Sequence, residues 1–124
     1  MILVDTSVWV DHLRHGDPKL TQELESGLVL SHPFVIGELA CGDLRDRARV
    51  LAALESLPQS PQATQAEALS FLHRHKLHGC GIGWIDVHLL AATALAAGSS
   101  LWTRDKRLIA VAEGLGLNHR VDAG

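Results

Sequence analysis

Cysteine is scarce: Cys41 and Cys80 are the only two in 124 residues, and they stand in no metal or redox spacing. That excludes a disulfide-stapled fold and points to two free thiols in an intracellular protein. Long hydrophobic runs are missing as well. The smoothest, "LLAATALAAG" at 89–98, is about half of the roughly 20 residues a membrane span needs. Met1 leads straight into Ile2-Leu3-Val4 with no basic region before the apolar residues, so no secretory signal is expected. The expected location is cytoplasmic, with no membrane partner. Cationic excess is absent too. A net charge of −3 counts against holding nucleic acid by bulk electrostatics, which depends on clustered lysine and arginine. It does not exclude a nucleic-acid enzyme whose acids gather at a metal. Neither G-x-x-x-x-G-K-[ST] nor G-x-G-x-x-G occurs, and no serine or cysteine lies in a nucleophile elbow. Nucleotide cofactors and covalent acyl chemistry are therefore unsupported.

What is present reads as an α/β protein. The apolar fraction of 47% fits an ordinary globular chain rather than a disordered one, and the length suits one domain over 1–124. Residues 2–4, 28–31 and 100–103 are short apolar strands. Between them lie helices with recognisable punctuation. Thr6 and Ser7 are placed to cap a helix to about Arg14. Asp17-Pro18 opens a second, which Gly27 stops. Pro33 starts a third, interrupted at Gly42-Asp43. "DRARVLAALESLP" buries Val50, Leu51, Leu54 and Leu57 and ends at Pro58. Thr64 and Glu67 form a T-x-x-E box opening a helix to about Lys76. After "HGCGIG", residues 84–97 are a strongly apolar helix, and Asp105 begins the last one, which ends near Gly114 or Gly116. "SPQATQ" is a polar connector, and "NHRV" could add an edge strand. Short strands alternating with amphipathic helices predict a short, mostly parallel sheet covered on both faces, a three-layer sandwich.

In such a sheet everything just after a strand collects on one edge, where ligand sites form. Asp5 leaves the first strand, and Asp105 follows the third after a short gap. Glu38 lies in the helix after the second, and Asp86 in the first turn of the helix after "GCGIGW". Four acids distant in sequence are thus expected on one rim. Singly, each has a structural reading as a helix cap or as a complement to a helix N-terminus. Together they would repel one another and raise each other's pKa unless a cation intervened. An oxygen-only set suits Mg²⁺ or Mn²⁺, and with it metal-assisted phosphoryl chemistry.

Other polar groups compete weakly. His73, His75, His78 and Cys80 could be drawn as a zinc site but lack a finger spacing. His88, two residues after Asp86, would face away from that acid on a helix and is left unassigned. Trp9, Trp84 and Trp102 read as core or partner-facing aromatics rather than base-stacking platforms. The basic groups Arg45, Arg47, Arg49 and Arg104, Lys106, Arg107 are solvated helix faces or, as the alternative, guides for a polyanion.

Four stretches, "VDTSVWVD", "IGELACGD", "GIGWIDVHLLAATAL" and "LWTRDKRL", together resemble the PIN-domain family, and more narrowly the VapC-type toxins of bacterial toxin–antitoxin pairs. The likeness runs from Ile2 to about Leu117. It implies a ribonuclease dependent on Mg²⁺ or Mn²⁺, with Asp5, Glu38, Asp86 and Asp105 on the family's acidic quartet. Thr103 matches the polar position of its T-x-D motif, and Thr6 and Ser7 match the hydroxyls that support the first acid. The resemblance also implies a homodimer silenced by a small VapB-type antitoxin whose C-terminal segment blocks the acidic pocket. Metal-activated water would cut RNA in line, leaving 5′-phosphate and 3′-hydroxyl ends. Arg104, Lys106 and Arg107 could then guide the RNA backbone. Two other classes compete. A receiver-like phospho-acceptor would want an acidic pair after the first strand and a late lysine. A catalytically silent PIN-like module would bind RNA or protein and keep its acids for structure.

Overall fold

Strand β1 (Ile2–Val4) occupies the middle of the sheet in a computed structural model that describes residues 1–121. Strand β2 (Val29–Leu30) pairs on one side and β3 (Ser100–Trp102) on the other, both parallel to β1. Leu3 is in register with Leu30 and Leu101, so one buried layer crosses all three strands. A strand covered on both faces must be apolar throughout, and β1 is: Leu3 and Val4 are fully buried. Truncating Leu3 to alanine would leave a cavity at the centre of the sheet and cost about 2–5 kcal/mol.

Among the described residues seven helices surround this sheet: α1 (Thr6–His15), α2 (Pro18–Glu25), α3 (Pro33–Ala40), α4 (Arg47–Ser56), α5 (Gln65–Arg74), α6 (Trp84–Leu95) and α7 (Lys106–Gly114). The architecture is the α/β sandwich read from the sequence. Helix α6 is its central brace. Val87 to Thr93 are buried without interruption, as a helix apolar on all sides requires, and Thr93 satisfies its hydroxyl by donating to the Leu89 carbonyl at 2.7 Å. No helix among the described residues is long and apolar enough to cross a membrane.

The punctuation largely works as the sequence indicates. Asp17 accepts from the Lys19 and Leu20 N–H groups at 2.9 and 3.2 Å, with Pro18 behind it. Both bonds of the Thr64–Glu67 box form, at 2.9 and 3.1 Å. Three details differ. Asp5, rather than Thr6 or Ser7, holds the capping position of α1, and its side chain makes no capping bond. Asp46 turns left-handed (φ 50°) before α4, so that helix starts at Arg47, one residue into the segment expected to form it. The connector after Pro58 also does more than link. Ser31 donates its N–H to the Pro58 carbonyl and accepts from Ser60 N–H, both at 2.8 Å, so a one-residue parallel bridge to Gln59 prolongs the sheet beside β2. At the far edge "NHRV" contributes a single parallel bridge, Asn118 to Leu101, rather than a strand.

Candidate active site

The three strands run the same way, so their C-terminal ends share one edge. Asp5 is held there firmly. Its N–H donates to the Trp102 carbonyl at 2.9 Å, continuing the β1–β3 ladder by one step before the chain turns into α1. The side chain is buried, and Oδ2 accepts from the Ser7 hydroxyl at 2.7 Å and the Thr103 hydroxyl at 2.8 Å. Thr103 in turn accepts from the Asp105 N–H at 3.1 Å, and Ser7 from the Arg104 N–H at 3.0 Å. The hydroxyls thereby stitch the end of β1 to the end of β3.

The four predicted acids show one pattern. Each uses a single oxygen to fix itself. Asp5 uses Oδ2 as described. Glu38 Oε1 accepts from the Thr6 hydroxyl at 2.8 Å. Asp86 Oδ2 accepts from the Gly83 N–H at 2.9 Å, and Asp105 Oδ1 accepts from the Arg107 and Leu108 N–H groups at 2.9 and 3.0 Å. The second oxygen of each has no hydrogen-bond partner among the described residues. The capping role foreseen for Asp86 and Asp105 is therefore real, and it leaves half of each carboxylate open.

Electrostatics tie three of these acids together. Burial pushes the Asp86 carboxyl above the usual aspartate range. The charges of Asp5 and Asp105 push it the same way, against the opposing Gly83 hydrogen bond. Glu38 is tethered to Thr6, the residue after Asp5, and its charge is not among those acting on Asp86. Among the described residues no three acidic, histidine or cysteine side chains converge tightly enough to hold an ion as they stand. The donor chemistry nonetheless fits a hard cation that keeps several waters and takes only a few carboxylates. His73, His75, His78 and Cys80 do not gather either: His75 packs on Phe71 with ring centroids 4.5 Å apart.

The basic residues separate into different roles. Arg104 forks between Asp11 and Asp17, one guanidinium nitrogen to each, and so braces α1 against the start of α2. It is not a free cation for a polyanion. Arg47 likewise donates to the Ala40 carbonyl at 2.8 Å, at the end of α3. Lys106 and Arg107 are exposed in the first turn of α7, and Arg107 lies across Gly81 in the loop that enters α6. Arg45 lines a groove of about 690 Å³ between α1, α3 and α4 that reaches Thr6 and Glu38.

His32, Phe34 and His88 carry no sequence pattern that assigns them a role, yet they pack together. His32 caps α3, its Nδ1 accepting from the Phe34 N–H at 3.0 Å, while Nε2 is buried without a partner. Burial, aided by the charge of His88, depresses its pKa to about 4, so the ring is neutral at physiological pH. His88 is itself buried and lies edge-on to both Phe34 and Trp84. Only the unusual His-Pro at a helix start pointed to His32, since serine, threonine and the Asx residues are the common caps.

Residues 2–114 match the family model for the PIN domain. Two curated relatives, both called Ribonuclease VapC32, come from Mycobacterium tuberculosis strains CDC 1551 / Oshkosh and ATCC 25618 / H37Rv. This chain is 48% identical to each over 108 residues, which is 87% of its own length and 87% of theirs.

Proposed function

The chain belongs to the PIN-domain family, and from that membership we propose that it is a metal-dependent endoribonuclease, the toxin of a VapBC-type toxin–antitoxin pair acting in the cytoplasm. What supports this reading is the influence of Asp5 and Asp105 on Asp86 and the open oxygen left on each of these acids and on Glu38. Asp5, Glu38, Asp86 and Asp105 would hold Mg²⁺ or Mn²⁺, which when bound supplies the Lewis acidity for in-line hydrolysis of a phosphodiester.

The chain's own residues do the rest. Ser7 and Thr103 orient Asp5 by saturating Oδ2, so that Oδ1 is the oxygen offered to the site. Thr6 does the same for Glu38. The Gly83 N–H fixes Asp86 while its proximity to Asp5 and Asp105 concentrates negative charge that a cation relieves. Lys106 and Arg107 guide the RNA backbone, and Arg104 supports the scaffold instead. No histidine is needed as a general base, in keeping with the burial of His88 and His32 among other side chains. The cognate antitoxin would block the acidic edge through the groove beside Glu38, which Arg14 and Arg45 line. Assembly as a homodimer belongs to the same reading, with the exposed Leu13 on α1 and Leu95 on α6 as its local support.

The test is cleavage of total RNA by purified, antitoxin-free protein with Mg²⁺ or Mn²⁺. Discrete cuts with 5′-phosphate ends, absent with EDTA, are expected. Intact RNA from folded, metal-loaded protein would favour a silent binding module.

A further inference from the structure

Arg104, Lys106 and Arg107 are close in sequence and meet different surroundings. Arg104 is held by Asp11 and Asp17. Lys106 is exposed in the first turn of α7, and its ammonium has no ion pair or hydrogen bond among the described residues. The Arg107 guanidinium is equally without a charged or hydrogen-bonded partner there. Its position, however, is fixed.

The Arg107 side chain is laid on the backbone of Gly81, in the loop that leads into α6. A methyl group on Gly81 would stand 2.7 Å from Arg107 Cδ, 3.0 Å from Nη1 and 3.2 Å from Nε, so the arginine would have to move aside. Gly81 also has a φ of +80°, a conformation that side chains rarely adopt. No other described glycine has so close a neighbour. The glycine thus provides both the turn and a flat seat for the arginine.

That seat joins the two segments that carry Asp105 and Asp86. Arg107 gives its backbone N–H to Asp105 Oδ1 at 2.9 Å. Two residues beyond Gly81, the Gly83 N–H holds Asp86 Oδ2 at 2.9 Å. The charge of Arg107 is nevertheless absent from those acting on Asp86, where Asp5 and Asp105 are felt. Arg107 therefore bridges the two segments without neutralising the acid. A guanidinium that is unpaired and already positioned is well suited to phosphate, because its planar donors match the oxygens and little freedom is lost on binding. Standing clear of the carboxylates, it suits a phosphate one step along the RNA from the one at the acids.

We infer that Arg107, seated on Gly81, clamps the RNA phosphate adjacent to the one that is cut. The inference rests on the ribonuclease reading and separates Arg107 from Lys106, which contributes only a mobile charge.

The experiment uses the full chain and a single-stranded oligoribonucleotide spanning the cut mapped for the wild-type protein. Cleavage kinetics are compared for wild type, Arg107→Ala, Arg107→Lys, Lys106→Ala, Gly81→Ala and the Gly81→Ala, Arg107→Ala double variant. Mn²⁺ uptake without RNA is measured alongside. The kinetics are repeated on oligonucleotides carrying one uncharged methylphosphonate linkage at each position around the cut. Arg107→Ala should raise KM by about ten-fold or more, change kcat less, and leave Mn²⁺ uptake as it was. Arg107→Lys should recover little of the loss, and Lys106→Ala should cost less than either. Gly81→Ala should raise KM in the wild-type background and not in Arg107→Ala, because the clamp is already gone. At one linkage next to the cut, the methylphosphonate should abolish the difference between wild type and Arg107→Ala. Equal KM values for wild type and Arg107→Ala, full rescue by Arg107→Lys, or a deficit of equal size on every methylphosphonate would overturn the clamp and leave the ribonuclease reading standing. So would variants that cut RNA normally and lose only antitoxin binding. If Gly81→Ala fails to fold, the Arg107 variants and the methylphosphonate series decide the matter. Failure of the wild-type protein to cut RNA at all would remove both readings.

Discussion

Two groups of acids flank the end of β1, and they are treated in opposite ways. Asp11 and Asp17 share the guanidinium of Arg104, which forks between them. Asp5, Glu38, Asp86 and Asp105 have no ion pair to any basic side chain among the described residues. The consequence is visible in the protonation equilibria. Burial tends to raise the Asp17 carboxyl, yet backbone hydrogen bonds from Leu20 and Lys19, together with Arg104, bring it below the usual range. Burial also raises Asp86, and there the neighbouring acids push further in the same direction. Under the proposed function, the second group would take its compensation from a cation in solution.

The sharpest way to break this contrast is to remove one acid from each group. Asp86→Asn should lower RNA cleavage by at least about a hundred-fold, measured as kcat/KM, with the fold intact by circular dichroism. Asp17→Asn should leave the cleavage rate close to wild type and instead lower Tm slightly, because it removes the charge that pairs with Arg104 while asparagine keeps the helix cap. Next in size is Thr103→Val. It deletes a hydroxyl that fixes Asp5 without touching any carboxylate, and should weaken Mn²⁺ binding or activity by about 10–100-fold. Arg104→Ala should cost roughly 1 kcal/mol in urea unfolding, since Arg104 and Asp11 are well exposed and such pairs are screened. Its effect on RNA affinity should be smaller than that of Lys106→Ala with Arg107→Ala, which reverses the order expected if all three cations faced the RNA.

The smallest effect is a pH dependence, and its sign separates the groups. Asp17 has a folded-state pKa below its unfolded value, so its contribution is present at neutral pH and is lost as acid takes the pH down through the folded pKa. Asp86 has a raised folded pKa, so ionising it opposes folding, and stability falls as pH rises through the window between its unfolded and folded values. In EDTA, Asp86→Asn should therefore match or exceed wild type in urea unfolding at pH 7, and the gap should close under acid conditions. Adding Mg²⁺ should raise the stability of wild type and not of the variant.

Much of this was legible in the chain. The three apolar strands, the Asp17-Pro18 start and the Thr64–Glu67 box rest on local chemistry, and local chemistry is what a sequence displays. Asp5 and Asp105 could be expected on one edge because parallel topology brings strand ends together, whereas Glu38 and Asp86 stand on helices and depend on packing. What escaped depends on tertiary partners. Arg104, Lys106 and Arg107 look alike in "TRDKR", yet Arg104 is drawn off by Asp11 and Asp17, residues distant in sequence. Ser31 and Gln59 complete a sheet edge through backbone groups whose polar side chains give no strand pattern. Trp84 reads in the sequence like Trp9 and Trp102, as core or partner-facing, and only its exposure separates it from them. Its exposure follows from standing at the first position of α6, where the helix emerges from the core. The surroundings of His88 are only half legible: Trp84 stands one turn before it on α6, but Phe34 is brought to it only by packing of α3 against α6.

The central claim is that the uncompensated acids form a cation site. The direct measurement is Mn²⁺ binding, followed by the electron paramagnetic resonance signal of the free ion, for wild type, Asp5→Asn, Asp86→Asn and Asp17→Asn without RNA present. Wild type and Asp17→Asn should take up Mn²⁺ alike, and the Asp5 and Asp86 variants should bind at least about ten-fold more weakly. Identical uptake by all four proteins, or none by any of them alongside RNA cleavage that persists in EDTA, would contradict it.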